Sequence, residues 1–270
     1  MLSGYTRPFT PAGEASMLPA LPWQFAGDLL LVHFRTDPDA LAALLPPPLQ
    51  PADRTGDAFL WSPHLRCHPD NVTPSQIGPA RTHYNVCVIG IPCLLNGMRT
   101  MLSTFQWGDR DWLVVLSWFL GACSKLASIE QTGIHPMFAS SAYAGGPGST
   151  LRRTVSRNGE KIIEIGFAPQ EVVDMQAVEF YTRNLPLTCV RHFPDCEVPR
   201  RGRPLVHDLT QMVMSDHQFG DPLRGPASLK FFSADNEELE PIQPREVISG
   251  YWIPMRFRLH GVRVVHNYLD

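Results

Sequence analysis

Short runs of apolar and β-branched residues, separated by turn-forming residues, predict that this chain is built mainly of strands. The runs at residues 28–34 (DLLLVHF) and 84–91 (YNVCVIGI) fall within the usual length of buried strands. Further runs occur at 98–105 and 112–116, and the GDRD segment between them suits a turn. We interpret the last three runs as consecutive strands of a meander.

The clearest hairpin signal lies at residues 157–160 (RNGE). Asn-Gly accepts the positive φ angles of a tight turn, and strand patterns flank it at 151–155 and 161–167. The C-terminal third carries similar patterns at 187–192, 227–232, 247–255 and 263–268. Many antiparallel strands with few helices favour a barrel, because closure of a sheet removes its exposed edges.

One short helix is predicted after the first strand. Asp37 can cap it, and Pro38 fits the first helical turn, where its missing amide proton is not needed. The helix covers DALAALL and must end at the three prolines 46–48. The predicted class is therefore α+β with mostly antiparallel strands. Because no repeat or low-complexity linker interrupts the chain, we expect a single domain over residues 1–270.

Composition narrows the class of protein. With 44% hydrophobic residues, 18% charged residues and a net charge of -3, the sequence is typical of globular proteins and unlike nucleic-acid binders. No leader pattern is present and no apolar run approaches about 20 residues, so we expect a cytoplasmic protein without membrane contact. The six cysteines form no CxxC pair, which favours reduced thiols over a zinc or redox site.

Several segments of the sequence are similar, in order, to the acetoacetate decarboxylase family. They are SGYTRPFTPAGEASMLPALPWQFAGD with FRTDPDALAALLPPPL, the central WFLGACSKLAS, and the C-terminal EVISGYWIPMRFRLHGVRVVHNYL. The resemblance implies a β-barrel or cone that encloses a cavity, with a few short helices. It also implies a small-molecule substrate, no cofactor, no metal and a homo-oligomer.

The central segment departs from the family pattern at the nucleophile. Family decarboxylases resemble G-[FY]-P-K-K-L there, and the first lysine forms a Schiff base with the substrate ketone. In this chain Ser124 stands in place of that lysine, Lys125 in place of its electrostatic partner, and Cys123 in place of the proline. The chain has two other lysines, Lys161 and Lys230, and we expect both side chains to be exposed to solvent.

A second departure lies upstream, where the family pattern resembles Y-x-E and supplies an active-site glutamate. Here the segment is Tyr84-Asn85-Val86, so an apolar valine takes the place of the carboxylate. A shift of one residue would put Asn85 there instead, but neither alignment restores a glutamate. The resemblance therefore predicts the family fold without the family's usual imine chemistry.

Lys125 remains a candidate catalytic residue if its amine turns inward. The alternative is a lysine directed away from the cavity and paired with an acid. Ser124 and Cys123 could instead serve acyl transfer with His83 or His135 as base, although small residues that fill vacated space would look the same. The i, i+4 spacing of two further histidines, His64 and His68, would suit a metal on a helix, but no third ligand is evident and no metal is predicted.

The predicted substrate-binding residues are Tyr84, Trp118, Val86 and Cys123, which lie in or beside the two altered motifs. The aromatic residues would equally suit a barrel core. Three hypotheses follow: an enzyme of secondary metabolism that cyclises, dehydrates or isomerises a keto-acid or polyketide-like substrate without an imine; a decarboxylase or aldolase-dehydratase that uses Lys125; and a noncatalytic ligand-binding barrel.

Overall fold

The computed structural model describes residues 1–73, 77–140, 142, 144–178 and 185–270. In this part of the chain the strands are, in order, β1 Trp23–Arg35, β2 Gln50–Pro51, β3 Asp57–Pro69, β4 His83–Leu95, β5 Met98–Gly108, β6 Ser124–Leu126, β7 Ser128–Gln131, β8 Leu151–Arg157, β9 Glu160–Phe167, β10 Glu171–Val172, β11 Leu187–Pro194, β12 Pro204–Phe219, β13 Leu223–Gly225, β14 Ala227–Phe231 and β15 Glu246–Asn267. The two α-helices are α1 Pro38–Ala43 and α2 Asp111–Leu120, and 3₁₀ turns lie at Pro79–Arg81, Met175–Ala177, Val198–Arg200 and Glu240–Ile242. Neither α-helix is long and apolar enough to cross a membrane.

The main sheet forms a ring of long strands. Its hydrogen-bonded neighbours run in the order β1, β3, β4, β5, β11, β12 and β15, and β15 pairs again with β1. Every pairing in this ring is antiparallel except a short parallel contact between β5 and β11. The predicted mostly antiparallel, cone-like barrel is therefore confirmed.

A second sheet, in the order β14, β9, β8 and β7, covers part of the outside of the barrel. Its hairpin between β8 and β9 turns at Asn158 and Gly159, whose φ angles of 54° and 85° confirm the predicted Asn-Gly turn. The two sheets share a large apolar core, which includes Leu30, Val32, Leu60, Cys87, Ile89 and Trp107 from the barrel and Val155, Ile163, Phe167 and Phe231 from the second sheet.

Helix α2 corrects the prediction of a strand at 112–116. The apolar run WLVVLSWFL has no strict alternation, and such a run cannot be assigned to strand or helix from its pattern alone. In the structure Trp112, Leu113, Leu116 and Leu120 are buried at helical spacing, and Gly121 ends the helix with a φ of 99°. The helix α1 prediction is confirmed, with Asp37 accepting a hydrogen bond from the Asp39 amide at 2.9 Å.

Two apolar clusters fill the barrel interior. One lies at the end closed by α2 and is called the helix-side cluster: Leu18, Trp23, Phe25, Leu65, Cys67, Tyr84, Val86, Val88, Trp112, Leu113, Leu116, Leu120 and Leu259. The other contains Leu29, Leu31, Phe59, Met101, Val178, Tyr251 and Ile253. Trp61 is partly buried and packs against both clusters, so it connects them.

Candidate functional site

The segment after α2 places two consecutive side chains on opposite faces of the barrel wall. Gly121 reverses the chain, and a Cβ there would lie only 2.6 Å from the Thr210 hydroxyl oxygen, so glycine is required by both conformation and space. The chain then enters β6, which pairs in parallel with β5. Because strand side chains alternate, Ser124 faces the interior and Lys125 faces outward.

Ser124 lies next to the helix-side cluster. Its side chain is buried, and its Oγ has no hydrogen-bond partner among the described residues. The Oγ lies 3.4 Å from where a Cβ on Gly108 would be, and Gly108 is the cross-strand partner of Val86. Ser124 and Val86, the two positions at which the motifs are altered, therefore both face the barrel interior. Gly108 lies between them and has no side chain to separate them.

Other polar groups of β5 lie on the same wall. Ser103 is the cross-strand partner of Gly90, is buried, and also has a hydroxyl without a partner in the described part of the chain. Between it and Ser124, Gln106 donates from Nε2 to the Ser117 hydroxyl at 2.8 Å. A buried hydroxyl without a hydrogen-bond partner typically lowers the stability of the folded state by about 1–3 kcal/mol. Two such hydroxyls on one wall therefore make this wall a candidate for ligand binding.

The sequence reasoning missed Ser103 and Gln106. The sequence offered only a weak indication of them, because polar residues recur within the strand segment STFQWG. In the structure a bulge, where the β4–β5 register shifts between Ile89 and Gly90, changes which β5 side chains face the interior. Simple period-two counting fails across a bulge, because the extra residue changes which side chains face inward.

Tyr84 lies two residues before Val86 on the same interior face. Its ring packs edge-on against Phe25 and Trp112, at centroid distances of 6.2 and 5.4 Å. Burial raises the pKa of the Tyr84 phenol well above its ordinary value, and Cys67 and Asp109 add to the effect. The phenol therefore stays neutral and retains its proton for donation.

Lys125 points to the space between the barrel and the second sheet. Its Nζ lies 3.0 Å from Glu237 Oε2 and also donates to the Asn236 carbonyl. The Glu237 side chain is only 1% exposed and accepts further bonds from Trp107 Nε1 at 3.2 Å and an Arg157 nitrogen at 3.5 Å. An ammonium group in this ion pair has no lone pair for attack on a carbonyl.

Cys123 and Trp118 lie at the outer edge of this segment. Cys123 is exposed and its Sγ contacts the Thr104 carbonyl at 2.9 Å. Trp118 is 48% exposed on α2, and its Nε1 donates to the Ser124 carbonyl at 2.8 Å. The structure therefore brings Tyr84, Val86 and Ser124 together and leaves Lys125, Cys123 and Trp118 outside that group.

The histidine candidates lie elsewhere. His64 and His68 belong to strand β3 rather than to a helix, which corrects the idea that their i, i+4 spacing lies on a helix. In a strand, residues i and i+4 lie about 13 Å apart along the chain, too far for both to bind one metal ion. His83 precedes Tyr84 and faces the other side of β4, where it contacts Arg110 at 3.1 Å. His135 is exposed and accepts a bond from the Met137 amide. Neither proposed base is placed beside Ser124.

Comparisons with known proteins agree with this architecture. The family described as acetoacetate decarboxylase (ADC) matches residues 6–269. No curated protein sequence matches the chain. Among solved structures, the enduracididine biosynthesis enzyme MppR, complexed with the condensation product of pyruvate and imidazole 4-carboxaldehyde, is 25% identical with a TM-score of 0.88, covering 99% of this chain and 98% of that chain.

Two further solved structures resemble this chain in fold. An acetoacetate decarboxylase-like enzyme from Sphingomonas wittichii RW1 is 24% identical with a TM-score of 0.87, covering 98% of this chain and 100% of that chain. Acetoacetate decarboxylase from Legionella pneumophila is 18% identical with a TM-score of 0.76, covering 93% and 90%. Since the family match extends over nearly the whole chain, this protein belongs to the acetoacetate decarboxylase family.

Proposed function

We propose that this chain is a divergent enzyme of its family that binds a small keto acid or polyketide-like carbonyl compound in the barrel interior and acts on it without a lysine imine. The reaction class is cyclisation, dehydration or isomerisation. We further propose that it works as one domain, without a cofactor, in a homo-oligomer. One observation carries the proposal: the interior motif position holds the unpartnered hydroxyl of Ser124, while the amine of Lys125 is bound to Glu237 on the opposite face.

The interior wall offers neutral hydrogen-bond donors suited to a carbonyl oxygen. Ser103 and Ser124 have buried hydroxyls without described partners, and Tyr84 keeps its phenolic proton. Donors that are already in position and excluded from water polarise a carbonyl and stabilise the enol or enolate that each of these reactions passes through. The apolar residues Val86 and Phe25 would pack against the carbon skeleton of the substrate.

The solved relative at 25% identity supports this substrate class. MppR is described in complex with the condensation product of pyruvate and imidazole 4-carboxaldehyde, and that ligand is a carbonyl-derived organic acid. The comparison favours a small keto acid for the present chain. It does not bear on the residues that carry the reaction, which we assign from the geometry of the barrel wall.

Replacement of Ser124 by Ala provides the direct test. Because the unliganded hydroxyl is buried without a described partner, the variant should be as stable as the wild type or more stable by about 1 kcal/mol. Binding of pyruvate or acetoacetate, measured by ligand-observed NMR, should weaken by about tenfold, since a donor to the carbonyl is lost. Ser233→Ala, at an exposed site, should change neither property.

Unchanged affinity in Ser124→Ala would remove Ser124 from the site. Binding that depends on Ser124 but produces no turnover across a panel of keto acids would favour the alternative of a noncatalytic ligand-binding barrel.

Reductive trapping distinguishes the alternative that uses Lys125. After incubation with pyruvate or acetoacetate and reduction with borohydride, peptide mass analysis should find no adduct on Lys125, because its Nζ donates to Glu237 and Asn236. The exposed Lys161 and Lys230 provide the background level of trapping in the same sample. A specific adduct on Lys125 that Lys125→Met abolishes would establish the decarboxylase or aldolase-dehydratase alternative instead.

A further inference from the structure

A cleft opens on the outer face of the barrel. It has a volume of about 930 Å³ and is bordered by β1, β3, β15 and the start of β4. The neighbouring residues Phe25 and Leu65 are buried because their side chains face the interior, while Ala26 and Arg66 are exposed because theirs face outward. Phe25, Cys67 and Phe257, which belong to the helix-side cluster or pack against it, also border the cleft, so the cleft shares part of its wall with the interior, while its outward-facing wall is formed by residues such as Ala26 and Arg66.

The strand register places one arginine on each side of Ala26. Ala26 in β1 pairs with Arg66 in β3 on one side and with Arg256 in β15 on the other. Neighbouring strands are about 4.8 Å apart, so the two arginine Cα atoms lie roughly 10 Å apart with only a methyl group between them. Both side chains are exposed, and neither forms an ion pair or donates a hydrogen bond within the described part of the chain.

Further donors border the same cleft. His83 is the cross-strand partner of Arg66, and Thr82 and His68 also line the wall. Arg258 is held by Asp70, which also accepts a hydrogen bond from Gln24 at 2.9 Å. The remaining acidic groups are Asp216, which lines the cleft, and Asp28, the partner of His64 across β1 and β3. The cleft therefore combines two arginines without ion pairs among the described residues with the hydrogen-bonding side chains of Thr82 and the histidines.

His64, which lines the cleft, lies near two positively charged side chains. The pKa of His64 is lowered by burial and then by the charges of Arg66 and Arg153, which outweigh the opposing charge of Asp28. Arg153 is itself almost fully buried and donates to Ser62 and Gln131 rather than to a described carboxylate. Asp28 and Asp109 lie close enough to favour the charged form of Arg153, so they offset part of the positive potential that its guanidinium contributes.

We propose that this cleft binds a small organic polyanion, with Arg66 and Arg256 holding one phosphate or carboxylate group between them. The fork of each guanidinium matches such groups with paired hydrogen bonds. The distance across Ala26 suits two long side chains that converge on one anionic group from opposite sides. The volume of the cleft leaves room for the rest of a small molecule.

Calorimetric titration with inorganic pyrophosphate and with citrate tests the proposal, at constant ionic strength. Wild-type protein should bind at least one of the two in a saturable manner, and which one binds tells whether phosphate or carboxylate is preferred. The double variant Arg66→Gln/Arg256→Gln should lose at least about tenfold in affinity, because both charged hydrogen-bond donors to the anion are removed. Arg54→Gln/Arg99→Gln removes the same charge at exposed positions elsewhere and should bind like the wild type.

The proposal is overturned if neither anion gives saturable binding, or if the affinities of the two double variants are equal. It is also overturned if sedimentation shows that Arg66→Gln/Arg256→Gln dissociates an oligomer, since the face would then contact a second copy of the chain. Ser124→Ala should leave anion binding unchanged, so failure of this site and failure of the interior site can be told apart.

Discussion

Replacing Glu237 with Gln should lower the free energy of unfolding by about 2–3 kcal/mol. The Glu237 carboxylate is buried and accepts from Lys125, Arg157 and the Trp107 indole, so one side chain joins β6, β8 and the core. Removing one partner of a buried ion pair usually costs about 3–5 kcal/mol. The loss should be smaller here because the Lys125 and Arg157 side chains are 36% and 26% exposed and can be hydrated after the change.

The measurement is equilibrium unfolding in urea, with Glu238→Gln as the matched control. Glu238 is the next residue in the chain, is exposed, and should change stability by less than about 0.5 kcal/mol when made neutral. Equal effects for the two variants would show that the contacts of Glu237 contribute nothing. A loss confined to Glu237→Gln would show that the buried Glu237 carboxylate, which links Lys125 of β6 with Arg157 of β8, stabilises the fold.

The fold was largely predictable because most of its strands carry local signals. The Asn-Gly hairpin and the apolar, β-branched runs at 28–34, 84–91 and 98–105 are properties of neighbouring residues, and the structure confirms them as a hairpin and as strands. The helix α2 was not predictable from its apolar run, since burial on one face of a helix at the end of the barrel depends on partners such as Phe25 and Tyr84 from distant strands. Similarly, the two C-terminal strand predictions, 247–255 and 263–268, became the single long strand β15, which pairs with both β1 and β12.

The candidate site was predictable only where a motif fixed it. The resemblance placed Ser124 and Val86 in one site, and the β4–β5–β6 register puts them on one face. The direction of Lys125 was left open by the sequence, because its partner Glu237 lies 112 residues further along the chain in an otherwise unremarkable segment. The half-exposed position of Trp118 likewise follows from the helical form of α2, which the sequence pattern did not reveal.

Replacing Ser124 with Lys should create an amine that forms an imine with a keto acid. The new side chain would extend from a buried position toward Leu113, Tyr84 and Val86, and desolvation there lowers the pKa of a lysine. The ammonium of Lys125 would not assist, because it lies on the opposite face with Glu237. The pKa of the introduced lysine must therefore be lowered by burial alone, so that a fraction of its amine is neutral and can attack the carbonyl.

The structural obstacle to this variant is steric. Leu113 Cδ2 lies 2.7 Å from where a Cβ on Gly108 would be, so the space beside Ser124 is already occupied. Inserting a long side chain into such packing commonly costs about 1–3 kcal/mol. Urea unfolding should accompany the chemistry, so that a misfolded variant is not mistaken for an unreactive one.

Borohydride reduction in the presence of pyruvate, followed by peptide mass analysis, should find one reduced pyruvate adduct on residue 124 of Ser124→Lys. Ser233→Lys supplies an exposed lysine as the control and should show only the background of Lys161 and Lys230. Adding Val86→Glu places a carboxyl group on the same face, across Gly108, where it can donate the proton needed as water leaves the carbinolamine. The double variant should therefore trap faster than Ser124→Lys alone. A folded Ser124→Lys protein without an adduct on residue 124 would mean that this position does not reach a substrate-accessible interior, and the proposed location of the active site would be wrong.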